Sequence, residues 1–194
     1  FNGNGYDETW VQEATQKRGL LDYRTTPDCV PHLLDQKNVQ MLTAHGVYSE
    51  AELRSRCEIT LDNYCKTVLI EANTMTDMAQ KEILPAVEAY CAEIAKSASV
   101  KRSIASDLAC TYEQRLVRKL SELTDRIAQK IEALEQMLIQ VKSAESVLQQ
   151  SQIIRDTLLS GMGELRLACD EAETLTAKKY WPFPTYGDLL FGVK

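Results

Sequence analysis

The sequence predicts an all-α fold: an antiparallel bundle of long helices with two short N-terminal helices and an extended aromatic, proline-rich C-terminal tail. The first observation is a stripe between Tyr112 and Leu148. Leu116, Leu120, Leu123, Ile127, Ile131, Leu134, Leu138, Val141 and Leu148 recur at helical spacing with Glu145 as the only interruption, so one face of this helix is continuously apolar. Arg115, Lys119, Glu122, Arg126, Lys130, Glu132 and Glu135 fill the other face, and Glu122 stands four residues before Arg126 in the favourable orientation for an exposed pair. The second observation is another long apolar series, Leu53, Cys57, Leu61, Tyr64, Val68, Ala72, Met75 and Ala79. Its eleven-residue period predicts a nearly straight or slightly right-handed helix. The third is the abrupt change at Tyr180-Trp181-Pro182-Phe183-Pro184, where two prolines end helical structure and hold the chain extended.

The composition is that of a globular protein. With 194 residues, 44% of them hydrophobic, the chain is long enough to bury a core as one domain or two small ones. A net charge of −6 argues against nucleic acid or an anionic membrane surface as the main partner, because both need a concentrated positive field. No apolar run reaches the roughly 18 residues of a membrane span, and the opening Asn2-Gly3-Asn4-Gly5 is unlike a signal peptide. The expected compartment is the cytoplasm. The chain opens on Phe1, which reads as a segment of something longer.

Taken in order, Asn2-Gly3-Asn4-Gly5 is turn material, lacking the preceding strand and third glycine of a dinucleotide loop. Asp7 caps a short helix carrying Trp10, Val11 and Ala14, which Gly19 ends. Leu20 to Leu34 is expected to be irregular, with Thr26-Pro27 and Val30-Pro31 extended before each proline. A second short helix spans roughly Asp35 to His45 and stops at Gly46. Ser49 and Glu52 form a capping box that opens the long helix. Pro85 should distort that helix one turn earlier, or the chain breaks and restarts there. Val87, Tyr90, Cys91 and Ile94 continue it to about Lys96, and Ser97 to Cys110 forms the reversal. Thr111 to Gln114 offers a second capping box at the start of the central helix.

Helix unbroken from Thr111 to Lys179 would reach about 100 Å at about 1.5 Å per residue, too long for a compact domain. A reversal is therefore expected between Ser143 and Ser151, followed by an antiparallel helix carrying Ile154, Leu158, Met162, Leu165, Ala168, Ala172 and Leu175. Gly161 and Gly163 within it imply close helix contact or a local bend. The aromatic tail should pack back on the domain or on a neighbour. The organisation expected is an N-terminal connector over 1–48, the long-helix bundle over 49–179 and the tail over 180–194, all in one domain.

Recognisable chemistry is missing from this pattern. Cys29, Cys57, Cys65, Cys91, Cys110 and Cys169 contain no Cys-x-x-Cys arrangement, and several fall on apolar helix faces as small hydrophobes. His32 and His45 have no second ligand at metal spacing, and Met75 with Met78 reads as core filling rather than a soft-ligand pair. Lys96, Lys101 and Arg102 are a solvated turn before they are a phosphate site.

Several stretches nonetheless point to a family. Trp181 to Phe191, Asn2-Gly3-Asn4-Gly5-Tyr6, Arg18-Gly19-Leu20-Leu21, His45-Gly46-Val47, Glu50-Ala51-Glu52-Leu53 and Lys81-Glu82-Ile83-Leu84-Pro85-Ala86-Val87 together resemble the C-terminal region of type III glutamine synthetases. Ser160 and Gly161 depart from the proline and alanine more usual in that family, which leaves the helix shape there open. The resemblance implies a parent enzyme joining ammonia to glutamate through a γ-glutamyl phosphate, with ATP and magnesium or manganese, in a double-ring homo-oligomer. Its catalytic domain would precede Phe1 and be the partner of this segment. No catalytic, cofactor-binding or metal-binding residue is assigned here, and no nucleic acid or membrane is expected. The segment's implied role is structural, bracing subunits or forming oligomer contacts. A free-standing helical scaffold and a regulatory ligand-binding domain are the alternatives.

Overall fold

A computed structural model describes residues 3–192; Phe1 and Asn2 of the opening stretch and Val193 and Lys194 of the tail lie outside the described residues. Among these residues the chain forms nine α-helices, joined in places by π-helical and 3-10 turns, and no strand. Contacts divide it into two compact units, residues 1–65 with 146–152, and residues 66–145 with 153–194.

In the first unit, Asn4 closes a turn by accepting from the Tyr6 and Asp7 amides. Helix α1 (Glu8–Gln12) starts at Asp7, whose carboxylate accepts from the Thr9 amide at 3.1 Å, and continues through a π-helical turn over Glu13–Lys17. Gly19 ends it at φ +66°, a conformation that costs a side-chain-bearing residue about 1–2 kcal/mol. The expected irregular stretch to Leu34 is corrected by the structure. Thr26–Cys29 is a capped helical turn, α2, and Val30–Leu34 a 3-10 turn. Both prolines sit in the first turn of their element, where an amide would have no helical acceptor. Val30 accordingly takes φ −62° and ψ −39° rather than the extended backbone expected before Pro31.

Helix α3 (Gln36–Ala44) stops before Gly46, again at φ +66°. Helix α4 (Glu50–Met78) opens with the expected capping box: the Ser49 amide donates to Glu52 Oε2 at 2.7 Å and the Glu52 amide to Ser49 Oγ at 3.3 Å. Leu53, Cys57, Leu61 and Cys65 form the buried face of its first half. Cys57 donates to the Val30 carbonyl at 3.6 Å, and Cys65 to that of Val147 at 3.7 Å, in α7 (Val147–Ile153).

In the second unit, α4 passes through a π-helical turn at Ala79–Ile83 into α5 (Leu84–Ile104). Pro85 lies in the first turn of α5, so the widened turn just before it accommodates the missing amide, the distortion the sequence predicts. Helix α5 does not end near Lys96. Neither glycine nor proline interrupts Ser97 to Ile104, and the lack of an apolar period there marks a more exposed surface rather than a loop. The connection is Ala105–Cys110 alone.

Helix α6 (Thr111–Lys142) starts where expected but without the expected box. Its N-cap is Cys110 in the left-handed region at φ +46°, while the Gln114 amide side chain donates to the Ala109 carbonyl at 2.8 Å. Glu113 turns away to pair with Lys101. A left-handed non-glycine residue carries about 1–2 kcal/mol of strain, so Cys110→Gly should raise the unfolding midpoint and Cys110→Val lower it, as thermal melts would show.

Leu116, Leu120, Leu123, Ile127, Ile131, Leu134, Leu138 and Val141 are all buried, as the stripe predicts. The stripe ends there: Leu148 belongs to α7 and is 37% exposed. The reversal is shorter than expected, since α7 already begins at Val147. A third π-helical turn, Ile154–Leu158, leads into α8 (Leu159–Leu175). Helices α5 and α8 both run antiparallel to α6. Cys91 bonds to the Val117 carbonyl at 3.8 Å while Lys101 meets Glu113; Lys130 meets Glu164 while Lys119 and Arg126 meet Glu171.

A Cβ on Gly161 would stand 2.6 Å from Met137 Sδ and 3.4 Å from Leu134 Cδ1, so this glycine permits close approach of α8 to α6. Gly163 faces open space. Beyond α8, Tyr180 lies 5.4 Å from Tyr90 of α5, and Lys179 reaches Glu93 at 2.9 Å. Trp181 and Phe183, half-buried, meet edge to face at 6.2 Å. The tail then coils into one further turn, α9 (Tyr186–Leu190), closed by a capping box between Thr185 and Asp188.

Candidate functional site

The residue types that could do chemistry are dispersed and engaged. Cys57, Cys65, Cys91 and Cys169 are buried. Burial pushes the first three thiols above their ordinary range and Cys169 up to about 11, so at neutral pH they are protonated and poor nucleophiles. Cys29 is exposed and Cys110 partly so. His32 Nδ1 lies 2.9 Å from Asp35, and its ring stacks on Tyr23 at 4.1 Å; its carbonyl accepts from Asn38 at 2.7 Å. His45 follows α3 at its C-terminus. Of the basic trio, Lys101 pairs with Glu113 and Arg102 donates to the Ala109 carbonyl at 3.3 Å.

Several carboxylates of the second unit lie beside lysines and arginines, some of them on a neighbouring helix. Glu171 of α8 receives Lys119 at 2.5 Å and Arg126 at 2.9 Å, Glu164 receives Lys130 at 2.6 Å, and Asp188 receives Lys178 at 2.6 Å. Hydrogen bonds from Lys119 and from Lys101 hold the Glu171 and Glu113 carboxyls below their ordinary 4.5. A lowered folded-state value means stability that is whole above about pH 4.5 and lost as pH falls through that lower value. Denaturant midpoints should therefore drop on acidification below that point. Glu171→Gln should differ most from the parent chain near neutrality and converge with it in acid.

An ATP-dependent ligase needs carboxylates converging on divalent metal beside a phosphate cradle. Among the described residues no group of three or more His, Cys, Asp or Glu side chains stands where it could hold a metal. Those named above instead neutralise neighbouring helices, and residues in that arrangement do not fit a nucleotide–metal centre.

One concavity has a consistent chemical character. A groove of about 580 Å³ lies between the end of α4 with its π turn, α8 and the tail. Met75, Met78, Ile83, Leu165, Trp181 and Phe183 line it together with the charged Glu71, Arg166, Asp170 and Glu173. Sequence reasoning took Met75 and Met78 for core and missed the groove; both are only half-buried. The signal was available in the Trp181-Pro182-Phe183-Pro184 segment, whose prolines hold two aromatics at fixed spacing.

Fold and site together define a helical, packing-dominated domain. A family model described as glutamine synthetase C-terminal domain matches residues 1–102, more than half of the chain, and the protein belongs to that family. Among known relatives, a glutamine synthetase of Butyrivibrio fibrisolvens is 36% identical over all of this chain and 28% of its own length. A type-3 glutamine synthetase of Dictyostelium discoideum is 30% identical over 98% of this chain and 26% of its own length. A glutamine synthetase of Bacteroides fragilis (strain YCH46) is 26% identical over 98% and 27%. The chain thus spans about a quarter of the length of the curated relatives it matches, at their C-terminal end. No helix among the described residues is long and apolar enough to cross a membrane.

Proposed function

We infer that this segment is the architectural C-terminal part of a cytoplasmic type III glutamine synthetase, an ATP-dependent ligase forming glutamine from glutamate and ammonia. Its likeness to the three relatives supports that parentage. In this reading ATP and magnesium or manganese are held by a catalytic domain of the same polypeptide, and no step of the reaction runs through the residues described here. The segment braces that domain and contributes to contacts in a double-ring homo-oligomer.

The observation that carries this reading is the cross-helix pairing of carboxylates, with Glu171 held between Lys119 and Arg126. A carboxylate already neutralised on two sides is a helix clamp and a poor metal ligand. Calorimetric titration of the 194-residue chain with magnesium–ATP and with glutamate should give no saturable heat. Saturable binding of either would replace the bracing role with a regulatory one.

A further inference from the structure

We propose that Asn4 is a site of spontaneous deamidation, where the Gly5 amide closes on the Asn4 side chain, ammonia leaves, and water opens the resulting ring to aspartate or isoaspartate. The inference is independent of the architectural role and concerns a motif that role leaves unused.

A side-chain amide is a poor electrophile and a backbone amide a poor nucleophile, so the two must be held close and unhindered. Asn4-Gly5 meets both requirements. Neighbouring residues supply the reacting atoms within one five-membered ring, which gives the high effective concentration of an intramolecular reaction. Gly5 has no Cβ to obstruct its own nitrogen, and a Cβ built there would meet nothing within 4 Å. Both residues are exposed to water, and no described residue accepts a hydrogen bond from the Gly5 amide. The electrophile is polarised as well. Asn4 Oδ1 accepts from the Tyr6 amide at 3.1 Å, which places a donor where the negative charge of the tetrahedral intermediate develops.

The reaction balances with water as its one co-reactant. The Gly5 nitrogen loses its proton and bonds to Asn4 Cγ; the Cγ–Nδ2 bond breaks and Nδ2 leaves as ammonia, carrying a proton away. Water then adds to one carbonyl of the succinimide. Opening at Cγ gives aspartate on an unaltered backbone, whereas opening at the main-chain carbonyl gives isoaspartate, with the backbone rerouted through Cβ and Cγ. Either product makes the net charge one unit more negative than −6. Isoaspartate also changes the fold locally. The Asn4 carbonyl, which accepts from the Asp7 amide at 3.1 Å and closes the turn into α1, becomes a carboxylate outside the backbone.

The other described asparagines are internal controls. Asn38 lies in α3, and the amide that follows it, Val39, donates to the Asp35 carbonyl at 3.0 Å. Asn63 and Asn73 lie within α4, where the following amides belong to the helix ladder and Asn73 Nδ2 donates to the Leu69 carbonyl. An amide committed to a helix is not free to attack the side chain before it.

Peptide mapping by mass spectrometry tests this on the 194-residue chain, kept folded at mildly alkaline pH and sampled over days. Fragmentation of the N-terminal peptide separates conversion at Asn4 from any at Asn2. The expected result is progressive replacement of the Asn4 amide by a carboxylate, with isoaspartate among the products, while Asn38, Asn63 and Asn73 keep their amides. Incubation in oxygen-labelled water should place one labelled oxygen in the product. Gly5→Ala should slow the conversion about tenfold by crowding the nucleophile. Retention of the Asn4 amide in the folded chain overturns the proposal, whether or not a chain unfolded in urea converts. So does an unchanged rate in Gly5→Ala, or equal loss at the helical asparagines.

Discussion

Replacing Leu134 by alanine should lower the unfolding free energy by about 3 kcal/mol, within the roughly 2–5 kcal/mol range for buried leucines. Leu134 is fully buried on α6, and its Cδ1 stands 3.4 Å from the position a Cβ would take on Gly161 of α8. Truncation removes apolar contact and leaves a cavity that two antiparallel helices, tied by the Lys130–Glu164 and Arg126–Glu171 pairs, have little freedom to close. Urea unfolding followed by circular dichroism checks it. A loss under about 1 kcal/mol would mean that α6 and α8 repack freely.

Gly161→Leu should approach the same magnitude from the opposite cause, costing about 1–3 kcal/mol by overpacking. Alanine at the same position is a subtler case. Its Cβ would clash with the Met137 sulfur at 2.6 Å, but that is the far end of a flexible side chain. The roughly 1 kcal/mol of helix propensity gained over glycine therefore survives in large part. Gly163→Ala meets nothing within 4 Å and should stabilise by about 1 kcal/mol. The contrast between neighbouring glycines separates the two explanations the sequence leaves open, since only Gly161 is required by close contact.

The parts of the fold legible in the sequence are those governed by periodicity and caps. The burial of Leu116 through Val141 follows from their spacing, and Ser49 with Glu52 forms its box because both partners are local. Failures occur where a competing arrangement wins. Thr111 to Gln114 has the form of a capping box, but Cys110, one residue earlier, takes the cap in a strained conformation and the Gln114 side chain donates to the Ala109 carbonyl instead. Extended backbone is the expectation before Pro27 and Pro31, although a proline in a first turn is compatible with helix. The tail's aromatics indicate a surface in need of cover. Only the folded structure divides them into Trp181 and Phe183, which are half-buried, and the α9 cluster, which is exposed.

The same distinction governs the candidate site. Spacing cannot show that Lys119 and Arg126 converge on Glu171, because that depends on the register of α6 against α8. Nor does it show a groove assembled from α4, α8 and a segment more than a hundred residues after α4 begins.

The central claim, that this segment serves assembly rather than catalysis, is tested most directly on the parent polypeptide with and without residues 1–194. Molar mass by light scattering and the rate of glutamine formation would be measured on the same samples. The expected result is a folded truncated enzyme that falls to smaller assemblies and loses activity in step with them. An unchanged mass, with only the rate or its response to metabolites altered, would contradict the architectural role and point to a regulatory site within these helices.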